Sequence, residues 1–325
     1  MNLAVETSTD TGYARPRDPA EIWVARHWQD VLGFCVGIRE NFFGVGGNSL
    51  DAARVVNAVL DEFDRQLPLN AVTENPTVER FAALVREENG RTLSGPLVEL
   101  QGGDGTHPPL FMVHPASGQL GSYCHLARAL GDDHTVFGLQ PVGLHTDAAP
   151  VTTVEAMARA YLDEIRAVDP VGPYLLGGCS TGVAVAVELA HLLTEAGAEV
   201  RLLAAIDAEL VEPTGGLVDS SLGQLAQGRT AAEVLDDWKE HDLVPRDENP
   251  DFVTRSLRVW QANRAAVRDW TGTSYPGPLD TFLAPGTERP ADWPAAEDER
   301  AHECAAGPDG TRLPAVADEL RRLIG

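Results

Sequence analysis

The sequence predicts two folded parts: a small all-helical bundle, then an α/β domain whose mostly parallel sheet is covered by helices on both faces and interrupted by a helical insertion. Three observations carry this. Residues 18–90 hold helical patterns and no strand pattern. From residue 108, short apolar runs alternate with helical stretches, the signature of parallel strands joined by crossover helices. Finally, about 60 residues separate two of those runs, too many for an ordinary connection.

Taken in order, residues 1–17 are polar and rich in turn formers, and read as a disordered lead. Asp18-Pro19 opens a helix, with Asp as N-cap and Pro at the first helical position. Ile22, Ala25, Trp28, Val31 and Leu32 give it one apolar face, and Gly33 stops it. A Gly-rich loop leads to a second helix over 49–63, and 77–87 is helical again. Residues 91–107 form a linker, within which Leu97–Leu100 reads as a short first strand. The domain over 108–325 then shows strands at 110–113, 136–139, 174–176, 202–206 and 279–283. Helices fall at 121–130, 153–168, 182–196 and 315–324, and the insertion over about 211–270 carries helical patterns at 230–240 and 251–270. Its length and position suit a lid.

Composition excludes several classes of function. Against 49 acidic residues stand 25 basic ones, a formal net charge of -24. Such a surface repels phosphate, which argues against nucleic acid and anionic membranes as partners. The four cysteines are scattered and form no CxxC pair, which argues against a zinc site or a disulfide framework and for a reducing compartment. No signal-peptide pattern or bilayer-length apolar run is present, so the expected location is cytoplasmic.

Two serines stand in chemically loaded settings. Ser49 follows Asn41-Phe-Phe-Gly-Val-Gly-Gly-Asn48, where a freely turning loop meets a helix N-terminus. A phosphodiester there would face the positive end of the helix dipole and unpaired backbone N–H groups. Read from these residues alone, Ser49 is either such an attachment point or an N-cap. The stretch Asn41–Leu50 closely resembles the peptidyl carrier motif of nonribosomal peptide synthetases, and Ile22–Gly33 and Asn75–Val78 look like that family's first helix and the start of its last. The resemblance implies covalent 4′-phosphopantetheine on Ser49, installed by a separate phosphopantetheinyl transferase.

Ser180 is the centre of Gly178-Cys-Ser-Thr-Gly182, a G-x-S-x-G sequence between an apolar run and a helical pattern. That strand–turn–helix context defines a nucleophile elbow. Asp207 ends the next predicted strand, 27 residues on; read from the residues alone it is either a helix cap or turn former, or the orienting acid that a serine nucleophile needs. Oxyanion donors are expected from the backbone N–H groups of Thr181 and Ala116. Phe111–Gly118 resembles the oxyanion-loop segment of the type I thioesterases of nonribosomal peptide synthetases, which are α/β-hydrolases. Tyr123–Leu130, Val136–Gln140 and Gly172–Gly178 are similar to the same family. The small Cys179 and Thr181 depart from its more aromatic elbow. His114 reads as loop scaffold. Near the C-terminus the family shows a Gly-x-His loop, but here the histidine position falls on Asp309 and no His follows 302. Two readings stand: His302 supplies the base from a shifted loop, or the triad has no histidine.

The resemblance implies release of a peptidyl thioester, received from upstream synthetase modules, through an acyl-enzyme on Ser180, by hydrolysis or ring closure. Two alternatives remain: a catalytically impaired hydrolase-like binding module fused to a carrier, and the carrier–thioesterase end of a polyketide synthase. Gly46-Gly-Asn-Ser49 favours the peptidyl kind of carrier over the last.

Overall fold

The computed structural model describes residues 13–63, 65–68, 70–86, 95–207, 210, 217–272, 275–290, 293–294, 296–307 and 312–325. Residues 1–12, the linker positions 91–94, the first residues of the insertion and Asp309 lie outside the described residues.

The N-terminal part is helical: α1 (Pro19–Leu32), α2 (Ser49–Phe63), α3 (Ala71–Glu74) and α4 (Val78–Arg86). Asp18 caps α1 by accepting from the Glu21 amide, and Gly33 ends it in the left-handed region at φ 83°. One cluster of buried side chains, including Trp28, Phe42, Val59, Val72 and Phe81, gives the bundle an apolar core of its own. Residues 13–17, read above as part of a disordered lead, are placed in the structure. The Arg17 side chain is fully buried, and it bonds Glu21, Glu79 and Asp242. The charge of Arg17 gave no hint of that arrangement, because two of its three partners, Glu79 and Asp242, lie 62 and 225 residues along the chain.

The larger part is a seven-stranded sheet in the order β1-β3-β2-β4-β5-β6-β7. The strands are β1 (Leu97–Gln101), β2 (Leu110–Val113), β3 (Val136–Leu139), β4 (Tyr174–Cys179), β5 (Val200–Ile206), β6 (Tyr275–Leu283) and β7 (Ala296–Glu303). Only β1 runs antiparallel, against β3. Helices α6 (Val154–Val168) and α7 (Gly182–Glu195) bury one face of the sheet. Helix α5 (Gly121–Leu130) and the C-terminal helix, here α11 (Leu313–Ile324), bury the other. The insertion between β5 and β6 contains α8 (Leu217–Ala226), α9 (Ala231–Glu240) and α10 (Pro250–Asp269), with a core of its own around Leu222, Val234, Trp238 and Val253. Among the described residues, no helix is long and apolar enough to cross a membrane.

The helical bundle rests on both the sheet edge and the insertion. Arg26 pairs with Glu99 of β1 at 2.8 Å. Arg17 and Arg39 share Asp242, and Arg86 reaches Asp247, both in the turn between α9 and α10. At the centre of the network Glu21 is completely buried between Arg17 and Arg86. Burial pushes its carboxyl group up, against the pull of the two guanidinium groups.

Candidate active site

Ser180 sits on the turn between β4 and α7 at φ 52°, in the left-handed region that costs a non-glycine residue strain. Both flanking glycines are required by close approach. A Cβ on Gly178 would lie 2.6 Å from Gly182, and one on Gly182 would lie 2.5 Å from the His114 carbonyl. The turn is tied to its neighbours: the Cys179 amide donates to the Tyr123 hydroxyl, which donates to the Val113 carbonyl. Ser180 is partly exposed, and it opens on a cleft of about 890 Å³ lined by Ala116, Thr181, Asp219, Trp260 and Arg264 among others.

The loop after β2 faces this turn. Asn263 of α10 donates to the Ala116 carbonyl at 3.0 Å, so the insertion holds the loop in place. His114 is 1% exposed, and its ring nitrogens meet the Pro115 carbonyl and the Tyr161 hydroxyl. Burial holds its pKa down at about 4, so it stays neutral and structural. Asp207 directly follows β5, with its amide donating to the Phe282 carbonyl.

His302 is not brought to Ser180. Its backbone pairs with Phe282, which pairs with Ile206, which pairs with Cys179. Three strand spacings, roughly 14 Å, therefore separate it from the Ser180 turn. Its ring nitrogens lie 2.7 Å from Asp280 and 2.6 Å from Glu319 of α11. The expectation that His302 orients toward Ser180 is corrected on this geometry: its imidazole ties β6, β7 and α11 together. Among the described residues that line the cleft there is no histidine.

Sequence reasoning missed Asp219. It lies in the first turn of α8, beside the Ser117 amide, Arg264 and the Trp260 indole. Its Oδ1 is buried with no hydrogen-bond partner. Burial pushes its pKa up to about 6, with Arg264 pulling the other way. A raised folded-state pKa costs nothing below about pH 4 and progressively more as pH rises through about 6. Asp219→Asn is therefore expected to gain up to about 3 kcal/mol over the native chain at pH 8 and nothing at pH 4. Thermal melts of the two proteins across that range check it.

On the bundle, Asn48 is the residue that caps α2, its Oδ1 accepting from the Leu50 and Asp51 amides. Ser49 is therefore the first helical residue rather than the cap, and it is exposed beside Leu50, which is 64% exposed. The loop before it is held by packing: a Cβ on Gly47 would lie 2.5 Å from the Phe42 ring. A free hydroxyl at a helix N-terminus, open to solvent and clear of backbone duties, fits a phosphodiester-linked arm.

A serine raised on a strained turn over a parallel sheet, facing a backbone loop and followed by an acid after the next strand, is the architecture of an α/β-hydrolase. Residues 108–309 match the thioesterase domain family, and the chain belongs to it. Residues 23–85 match the phosphopantetheine attachment site, so the chain is a carrier–thioesterase didomain of the nonribosomal peptide synthetase kind, bearing covalent 4′-phosphopantetheine. It is 37% identical over 201 residues to the indigoidine synthase of Dickeya dadantii, covering 60% of this chain and 13% of that protein. It is 34% identical over 196 residues to a probable non-canonical nonribosomal peptide synthetase, CymA, of Salinispora arenicola, covering 60% of this chain and 2% of that one. The chain thus spans a small fraction of the length of these relatives. A four-domain nonribosomal peptide synthetase crystallised in its holo form with AMP and glycine superposes with a TM-score of 0.79 at 25% identity, over 97% of this chain and 27% of that one. The Vlm2 thioesterase domain bound to a dodecadepsipeptide shares the fold of the larger part, at a TM-score of 0.54 and 22% identity.

Proposed function

We propose that this chain takes an acyl or peptidyl group from the pantetheine arm on Ser49 onto Ser180 and releases it in nonribosomal peptide biosynthesis, either to water as the free acid or to a nucleophile within the acyl chain as a ring, with Ser180 regaining its proton. The observation that carries the reading is the Ser180 turn: a partly exposed hydroxyl at φ 52°, opening on a cleft beside Ala116 and Thr181. Its Oγ attacks the thioester carbonyl, the Ala116 and Thr181 amides stabilise the oxyanion, and the pantetheine thiol leaves. Asp207 follows β5, where an α/β-hydrolase carries its acid, but His302 is engaged by Asp280 and Glu319 instead. The proton of Ser180 falls to Asp219, the one carboxyl among the described residues lining the cleft, because no imidazole is there to take it. A carboxyl group with a pKa near 6 is a competent general base at neutral pH. The partners this implies are a phosphopantetheinyl transferase and upstream synthetase modules that supply the acyl group.

The test is to load Ser49 with an acyl-pantetheine and follow the acyl mass through peptide mapping. The expected result is its appearance on Ser180, at a rate that rises with pH through about 6 and loses that dependence in Asp219→Asn. Acyl mass that never leaves Ser49 while Ser180 stays free would refute it. The engagement of His302 by Asp280 and Glu319 favours a second reading, in which the cleft holds the acyl group without turning it over. That reading predicts a stable acyl-Ser180 with no free product.

A further inference from the structure

At the end of the sheet opposite Ser180, two loops enter β2 and β3 side by side. One carries His107, ahead of β2; the other carries Asp133 and His134, between α5 and β3. Each of the three offers one ligand atom, and these atoms all lie within 4.8 Å of one another. His134 Nδ1 is 2.8 Å from one oxygen of Asp133, and His107 Nε2 is 3.9 Å from the other. The imidazoles stack with centroids 4.5 Å apart and planes 4° from parallel.

The cluster stands on a fixed scaffold. Gln101, 3% exposed at the end of β1, donates its side-chain amide to the Gly131 and His134 carbonyls, at 2.7 and 3.0 Å. The Gly103 amide donates to Thr135 Oγ1, and a Cβ on Gly103 would lie 2.6 Å from the Asp133 carbonyl. Gly131 takes φ 101°, which admits no ordinary side chain comfortably. The two loops are therefore locked against each other by backbone contacts before any ligand arrives. None of this packing needs the His107 ring or the Asp133 carboxylate. The His107 ring, stacked on the buried His134, is 28% exposed, and the Asp133 carboxylate is 52% exposed.

We propose that His107, Asp133 and His134 bind one borderline divalent transition ion of the zinc class. Two imidazoles and one carboxylate suit such an ion, whereas calcium and magnesium prefer all-oxygen shells of six or more. Bonds of about 2.0–2.2 Å in a tetrahedral shell put ligand atoms about 3.4 Å apart. The present separations are close to that, and closing the widest takes a movement on the order of 1 Å. The parallel rings cannot aim both lone pairs at one point, so one ring must tilt. His107, on the more open loop, has the room; His134 stays. Three protein ligands leave the fourth position to water, and the bound ion would tie together the loops that enter β2 and β3. The site lies away from the Ser180 cleft and stands whether or not the release reaction does.

The test uses the full chain free of any histidine tag and stripped with a chelator. Zinc is titrated by calorimetry and cobalt(II) by visible absorption. One equivalent is expected, with a cobalt d–d band of four- or five-coordinate intensity. His107→Ala and Asp133→Asn, whose metal-free melting should match the native chain, are each expected to weaken binding tenfold or more. The proposal is overturned by silence in both titrations at millimolar metal. It is equally overturned by binding that keeps its native affinity in both variants.

Discussion

In a Ser180→Ala variant no acyl group is expected on the thioesterase domain, and release from a loaded carrier should fall at least ~10³-fold. Loading of Ser49 should be unchanged, because the bundle has its own core. Intact-mass measurement of the loaded protein, paired with chromatography of the released acid, reads both quantities. The contrast with His302→Ala makes the result diagnostic. Members of a working triad are not additive, so removing a true base costs about as much as removing the nucleophile. His302→Ala is instead expected to leave release within about twofold and to lower stability by about 1–3 kcal/mol, since Asp280, 2% exposed, loses its hydrogen-bond partner. Native-like release from the Ser180 variant would end the acyl-enzyme account. A collapse of release in His302→Ala at unchanged melting temperature would end the structural reading of that imidazole.

Most of the sheet could be read directly, and the reasons are physical. Strands β2 to β5 are largely buried and apolar, so they stand out as runs, whereas in β6 only the buried second half, Leu279 to Leu283, does. The elbow announces itself because its turn tolerates only small flanking residues. Strand β7 does not: Ala-Glu-Asp-Glu-Arg-Ala-His-Glu is a charged edge strand, with no apolar run to detect. That omission also misplaced His302, which reads as a loop residue until β7 pairs it with Phe282. Helix α8 hides in a Ser- and Gly-containing stretch, and with it Asp219, whose role comes only from the fold laying that helix beside Ser117. The metal cluster is similarly silent: His107 and His134 are 27 residues apart in sequence, and only the parallel pairing of β2 with β3 makes them neighbours. Ser49 was readable from its loop, although the capping role belongs to Asn48.

The glycine that follows the elbow should be as intolerant as the serine itself. A Cβ at position 182 would sit 2.5 Å from the His114 carbonyl oxygen and 2.6 Å from that of Val113. Both are backbone atoms at the end of β2, where the strand becomes the loop carrying Ala116, so no side-chain rotation relieves the clash. The first turn of α7 must move away from β2 instead. Overpacking of this kind costs about 1–3 kcal/mol, which at this size lowers the melting temperature by about 2–4 °C per kcal/mol. The larger effect falls on catalysis. Thr181 rides on the displaced turn while Ala116 stays with β2, so the separation of their amides changes. Losing one oxyanion donor is worth about 10²–10³ in rate. Gly182→Ala is thus expected to cut acyl transfer to Ser180 at least ~100-fold. Gly223→Ala is the matched control: it adds the same methyl group to helix α8, where nothing lies within 4 Å of the new atom. Alanine also favours the helix by about 0.5–1 kcal/mol over glycine, so that variant should melt at or slightly above the native temperature and transfer acyl groups normally. If Gly182→Ala behaves like Gly223→Ala in both assays, then the packing of α7 against β2 does not set the oxyanion geometry, and the two amides must be positioned by something else.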